Sequence, residues 1–156
     1  MIQRIQSIYL VLAGLFPAFT YFVPLALFTQ ISNPQSLGFT INSLYYNALA
    51  FPLLADQYPW ALIITTIAAI ILPIITIFGY KNRKRQIKFI NFAMTVNVVW
   101  YVAFAIYTVT LQNSTQTNVS FKLGILFPLL AFITLYLAKR AIKHDEALVR
   151  AADRIR

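Results

Sequence analysis

Charge is what this sequence withholds: no Lys, Arg, Asp or Glu occurs between Arg4 and Asp56, between Asp56 and Lys81, or between Lys88 and Lys122. A helix of roughly 20 mostly apolar residues crosses a hydrocarbon core about 30 Å thick, so gaps of this length point to a bilayer. Composition agrees, since 11% of the residues are charged and 60% are apolar, whereas a soluble domain carries about 25% charged residues. The gaps predict four spans, at about 5–28, 60–80, 89–111 and 121–138. They leave outer loops at 29–59 and 112–120, an inner loop at 81–88 and a tail at 139–156.

The uncharged stretch 37–55 invites a fifth span, and the basic residues argue against it. Short cytoplasmic loops of bacterial membrane proteins collect Lys and Arg. With four spans and both termini inside, all 13 basic residues except Lys122 face the cytoplasm. Five spans would put Arg4 and the loop KNRKRQIK on opposite sides. Gly38, Asn42, Ser43 and Asn47 also weaken that stretch as a span, so 29–59 reads as an outer loop that caps the bundle, lies on the interface or re-enters it. Arg4 before an apolar run has the look of a signal peptide, but no small-residue cleavage site follows soon after, and the first span is expected to be retained. The expected fold is all-α, a single four-helix transmembrane bundle with both termini cytoplasmic and a cytoplasmic amphipathic C-terminal helix.

Small and weakly polar residues recur at helical spacing within the spans, as at Gly14 and Ala18, or at Gly124, Pro128, Ala131 and Ala138. Such stripes let neighbouring backbones approach closely in lipid. On the third span Asn97 and Tyr101 share a face and are candidate intramembrane polar contacts. Interhelical hydrogen bonding is the commoner use of such residues.

The absences restrict chemistry more than any motif does. With no cysteine and a single histidine, His144, thiolate metal sites, disulfide exchange and bis-histidine haem ligation have no ligands within the chain. No carboxylate falls inside a span, which disfavours proton-coupled pumping. No catalytic constellation, metal site or cofactor is expected.

Two charged elements remain. Lys81, Arg83, Lys84, Arg85 and Lys88 crowd into eight residues between the second and third spans. They are candidate contacts for anionic headgroups, at about 1 kcal/mol per basic residue, or for a partner; the plainer reading is a determinant of orientation. Nucleic acid is not an expected partner, because the run is short and has no aromatic platform for stacking. In the tail LAKRAIKHDEALVRAADRIR, the residues Leu148, Val149 and Ala152 fall on one arc of a continued helix, with Asp145 in its middle. A carboxylate there should meet a cation. The tail is therefore expected to dock on the bundle or a partner through Asp145, Leu148, Val149 and Ala152, with Asp145 pairing to the basic loop.

The opening MIQRIQSIYL, the loop YKNRKRQIKF and the tail with its DE and DRIR elements together resemble the domain-of-unknown-function 4293 family, small multispan membrane proteins found mainly in Bacteroidota. The resemblance implies a multi-pass protein of the bacterial inner membrane and supplies no activity, cofactor or site residue. The functional expectation is a nonenzymatic scaffold or accessory subunit that binds membrane lipids and either another membrane protein or its own copies. The alternative is a small channel or transporter for a neutral or hydrophobic solute.

Overall fold

A computed structural model of the chain describes residues 3–30, 39–42, 46–47, 59–79 and 82–154. In chain order these form α1 (Gln3–Phe19), β1 (Ala26–Gln30), β2 (Phe39–Ile41), β3 (Tyr46–Asn47), α2 (Trp60–Phe78), α3 (Arg83–Thr115), β4 (Thr117–Phe121), a 3-10 turn (Leu123–Ile125) and α4 (Leu126–Arg154). The helices α2, α3 and α4 are each long and apolar enough to cross a membrane. The shorter α1 has 17 residues, or about 25 Å at 1.5 Å per residue.

The helices pack in a ring, α1 on α2, α2 on α3, α3 on α4 and α4 back on α1. The interior fills in two layers. At one end Leu62 of α2 and Trp100, Phe104 and Leu111 of α3 join Leu25, just before β1, and Ala26, Phe28 and Ile41 from the strands. At the other, Leu10 and Ala13 of α1, Leu72 of α2, Ile90 and Ala93 of α3, and Leu135, Ala138 and Ile142 of α4 close the core. Small residues permit this closeness: a Cβ on Gly14 would lie 3.4 Å from the Ile70 carbonyl oxygen of α2. Of the expected fourth-span stripe, Gly124, Pro128, Ala131 and Ala138 are all buried.

The strands correct the all-α expectation. They make one antiparallel sheet in the order β3-β2-β1-β4, with Ala26 opposite both Ile41 and Phe121. The first span therefore does not reach residue 28, because the helix ends at Phe19. Thr20, Tyr21 and Phe22 each donate a backbone N–H to the carbonyl three residues back, tightening the last turn. The Thr20 hydroxyl takes the Pro17 carbonyl at 2.6 Å. Pro24 then holds Val23 out of helical geometry, and the chain emerges extended. β1 is paired on both edges and turns Ala26 and Phe28, wholly buried, toward the core.

Two more boundaries move. The expected inner loop 81–88 is mostly helix, since α3 begins at Arg83 under an Asn82 cap whose side chain accepts from the Arg85 N–H. The expected outer loop 112–120 is the last turn of α3 followed by β4, with Gln116 between them in left-handed geometry at φ 48°. Of the expected outer loop 29–59, the stretches 31–38, 43–45 and 48–58 lie outside the described residues. The tail continues α4 without a break to Arg154.

Candidate functional site

The antiparallel ring sorts the polar chemistry into two ends. The end bearing the sheet gathers the C-termini of α1 and α3 with the N-termini of α2 and α4, and Lys122 is its single basic residue among those described. The opposite end carries the first turn of α1 with Arg4, the first turns of α3 with Arg83, Lys84, Arg85 and Lys88, and the last turns of α4.

At the sheet end, Trp100 anchors α3. Its indole N–H donates to the Thr66 hydroxyl of α2 at 2.9 Å, and its ring stacks on Phe104 with centroids 5.5 Å apart. Burying an indole demands such an acceptor. Tyr101 turns the other way and donates its hydroxyl to the Ile125 carbonyl at 2.6 Å, tying α3 to the start of α4. It also lines an open groove of about 640 Å³ between α3 and β4, walled by Phe104, Val109, Val119 and Phe121 with Thr108, Gln112 and Asn118 among them. Thr108 spends its hydroxyl on the Phe104 carbonyl of its own helix. The groove is thus apolar with an amide-bearing mouth.

Asn97, grouped with Tyr101 by sequence, sits one turn deeper and does not line that groove. Its side-chain N–H donates to the Ala93 carbonyl at 2.9 Å within α3, while its Oδ1 is buried with no partner among the described residues. It is a local backbone contact here, not a bridge between helices.

At the basic end, Lys84, Arg85 and Lys88 are exposed and Arg83 is half-buried, with its Nη1 shut away from solvent and unpaired among the described residues. Arg85 lies over the Phe89 ring at 5.9 Å. Lys81 lies outside the described residues. Four cations in the opening turns of a helix oppose its dipole, which favours anions there. Within this run Gln86 is the residue that faces inward, buried and donating to the Thr76 carbonyl of α2 at 3.0 Å. That carbonyl belongs to the last turn of α2, where it also accepts the Gly79 backbone N–H at 3.2 Å, so Gln86 adds to the cap of one helix from the next. Its neutral amide, set among Arg83, Lys84, Arg85 and Lys88, was the signal available in sequence.

The expected pairing of Asp145 with the basic loop is replaced by a contact with α1. Asp145 is 7% exposed, and its Oδ2 accepts a hydrogen bond from the Gln6 side-chain amide, joining the tail of α4 to the opening of α1. Its Oδ1 is buried without a partner among the described residues. Ile142, one turn earlier, is also buried, while Leu148 is 48% exposed. The backbone at Val149 and Ala152 is helical, and their side chains lie outside the described set. A second groove, of about 510 Å³, runs beside Asp145 and includes Arg140 and His144. Among the described residues no three His, Cys, Asp or Glu side chains gather to hold a metal.

The outward helix faces complete the description. Ile64, Ile71, Val102, Ile106, Leu129 and Ile133 are each between 45% and 62% exposed, a belt that water would penalise and lipid would not. Helix length, apolarity and this belt define a membrane protein whose helical ring carries a small sheet at one end. The chain belongs to the family described as a domain of unknown function (DUF4293), whose model matches residues 2–155. Among curated proteins no match is found.

Proposed function

We propose that this protein is a nonenzymatic scaffold or accessory subunit of a membrane complex, set in a bacterial inner membrane with its basic end in the cytoplasm and its sheet outside. The observation that carries the reading is an exposed apolar rim above a filled interior. Phe121 is 63% and Leu123 74% exposed at the sheet end, beside the α3–β4 groove, and beneath them the ring is closed by Trp100, Phe104 and Leu62. An apolar rim outside the bilayer is a surface for a second protein or a second copy. Orientation follows the basic residues, and anionic headgroups at the cytoplasmic face would relieve the repulsion among Lys84, Arg85 and Lys88.

Crosslinking in intact membranes followed by purification in mild detergent tests this. A second polypeptide, or further copies of the chain, should be recovered in fixed ratio, and Phe121→Ser with Leu123→Ser should lower that recovery about tenfold. Recovery as a lone monomer would overturn the reading. The α3–β4 groove favours one other reading, a carrier for a neutral or hydrophobic solute. Ala105 of α3 also lines the groove, and Ala105→Trp, which fills it, separates the two: under the carrier reading it stops uptake into proteoliposomes, and under the scaffold reading uptake is absent from the start.

A further inference from the structure

The groove beside Asp145 holds chemistry beyond the Gln6–Asp145 bond that ties α4 to α1. One part of its wall is apolar, from Ile5 and Tyr9 of α1 and Leu137 of α4; the other is polar, from Arg140, His144 and Asp145. Arg140 and His144 are four residues apart on α4 and so share a face. Both are exposed and lie next to Asp145, whose Oδ1 is buried and unpartnered among the described residues. A carboxylate oxygen deprived of both water and donor is unfavourable by several times the net worth of an ordinary hydrogen bond, and a ligand that brings a donor relieves it. The groove therefore offers a cation for an anionic group and an acceptor for a cationic one. It straddles the point on α4 where the apolar run ending at Ala138 gives way to Lys139 and Arg140, which is headgroup depth if the helices span as proposed above.

We propose that this groove binds a phospholipid whose headgroup ends in a primary ammonium, of the phosphatidylethanolamine type. The phosphate lies on the Arg140 guanidinium with the His144 imidazole beside it, the ammonium donates to the Asp145 carboxylate, and the first acyl carbons run along Ile5, Tyr9 and Leu137. The arrangement discriminates by hydrogen count and by charge. A trimethylammonium headgroup has no N–H to give Asp145. A glycerol headgroup keeps the phosphate's negative charge and brings no cation to balance the carboxylate. The lipid would also bridge α1 and α4 alongside the Gln6–Asp145 bond.

The test uses the full chain in lipid nanodiscs containing equal parts phosphatidylethanolamine, phosphatidylcholine and phosphatidylglycerol, with native mass spectrometry of the lipid retained. The unmodified protein should retain the ethanolamine lipid about tenfold over the choline lipid, the expected effect of one charge-assisted hydrogen bond. Asp145→Asn should bring that ratio near one, Arg140→Gln should lower retention of all three, and Lys84→Gln, outside the groove, should change neither. Equal retention of ethanolamine and choline lipids by the unmodified protein, or an undiminished ratio in Asp145→Asn, would overturn the proposal. If Asp145→Asn does not fold, the ratio for the unmodified protein and its loss in Ala141→Phe, which fills the groove, decide the matter. Failure of the membrane placement itself would show separately, as loss of the chain from the membrane fraction whatever the headgroup.

Discussion

Gly124 stands where no side chain fits, because a Cβ there would lie 2.6 Å from the Pro24 carbonyl oxygen and 2.9 Å from that of Val23. Both neighbours are backbone, fixed by the helix-to-strand turn on one side and β1 on the other, so nothing can swing aside. Gly124→Ala should cost about 2 kcal/mol or more, seen as a lowered unfolding midpoint in detergent. Gly14→Ala, with its nearest contact at 3.4 Å, should cost well under half of that. The Trp100–Thr66 bond gives a second expectation at this scale. Thr66→Val strands the indole N–H and should cost about 1–3 kcal/mol. Adding Trp100→Phe removes that orphaned donor, so the pair of changes should cost less than the sum of the two singles in a double-mutant cycle. Gln116 provides a gain rather than a loss: its φ of 48° suits glycine, and Gln116→Gly should stabilise by about 0.5–1 kcal/mol.

Among the elements, the sheet makes the sharpest prediction. The register sets Thr29 directly opposite Asn118, and opposed residues in antiparallel strands have Cα atoms about 4.5–5.5 Å apart, within disulfide reach. The chain has no native cysteine to interfere. Thr29→Cys with Asn118→Cys should crosslink under mild oxidation, whereas Thr29→Cys with Val119→Cys, one residue out of register and facing the other way, should crosslink far less; equal yields would contradict the pairing. Helices and strands were unequally legible in sequence for a physical reason. Spans 60–80 and 89–111 are runs longer than any strand, so length alone distinguishes them. Residues 25–30 extend an apolar run that begins as helix, and a strand buried on a helix end has the same composition as the helix. The readable clues were Pro17, Thr20 and Pro24 in close succession, which stop a helix. At the basic end Asp145 was legible as an anomaly because it interrupts an apolar arc. Its partner Gln6 was not, since a neutral amide in the first turn of α1 is unremarkable until α4 is seen to lie against it.

For the whole molecule the proposed orientation can be read with single cysteines in a cysteine-free background. Ser120→Cys on β4 and Lys84→Cys on α3 are both exposed and lie at opposite ends of the ring. A membrane-impermeant maleimide should label Ser120→Cys in spheroplasts and label Lys84→Cys only after lysis; the reverse pattern would invert the orientation. The sheet also imposes an order on biosynthesis. Its central strand β1 is made before α2, but β1's second neighbour, β4, follows α3, roughly ninety residues later in the chain. Until β4 is delivered, one edge of β1 stays open and Phe28 lacks part of its cover. Closure of the sheet therefore has to follow synthesis of α2 and α3. A chain stopped at Thr115 should be recognised as unfinished and be cleared by membrane proteases faster than the full chain, a difference that pulse-chase labelling would measure.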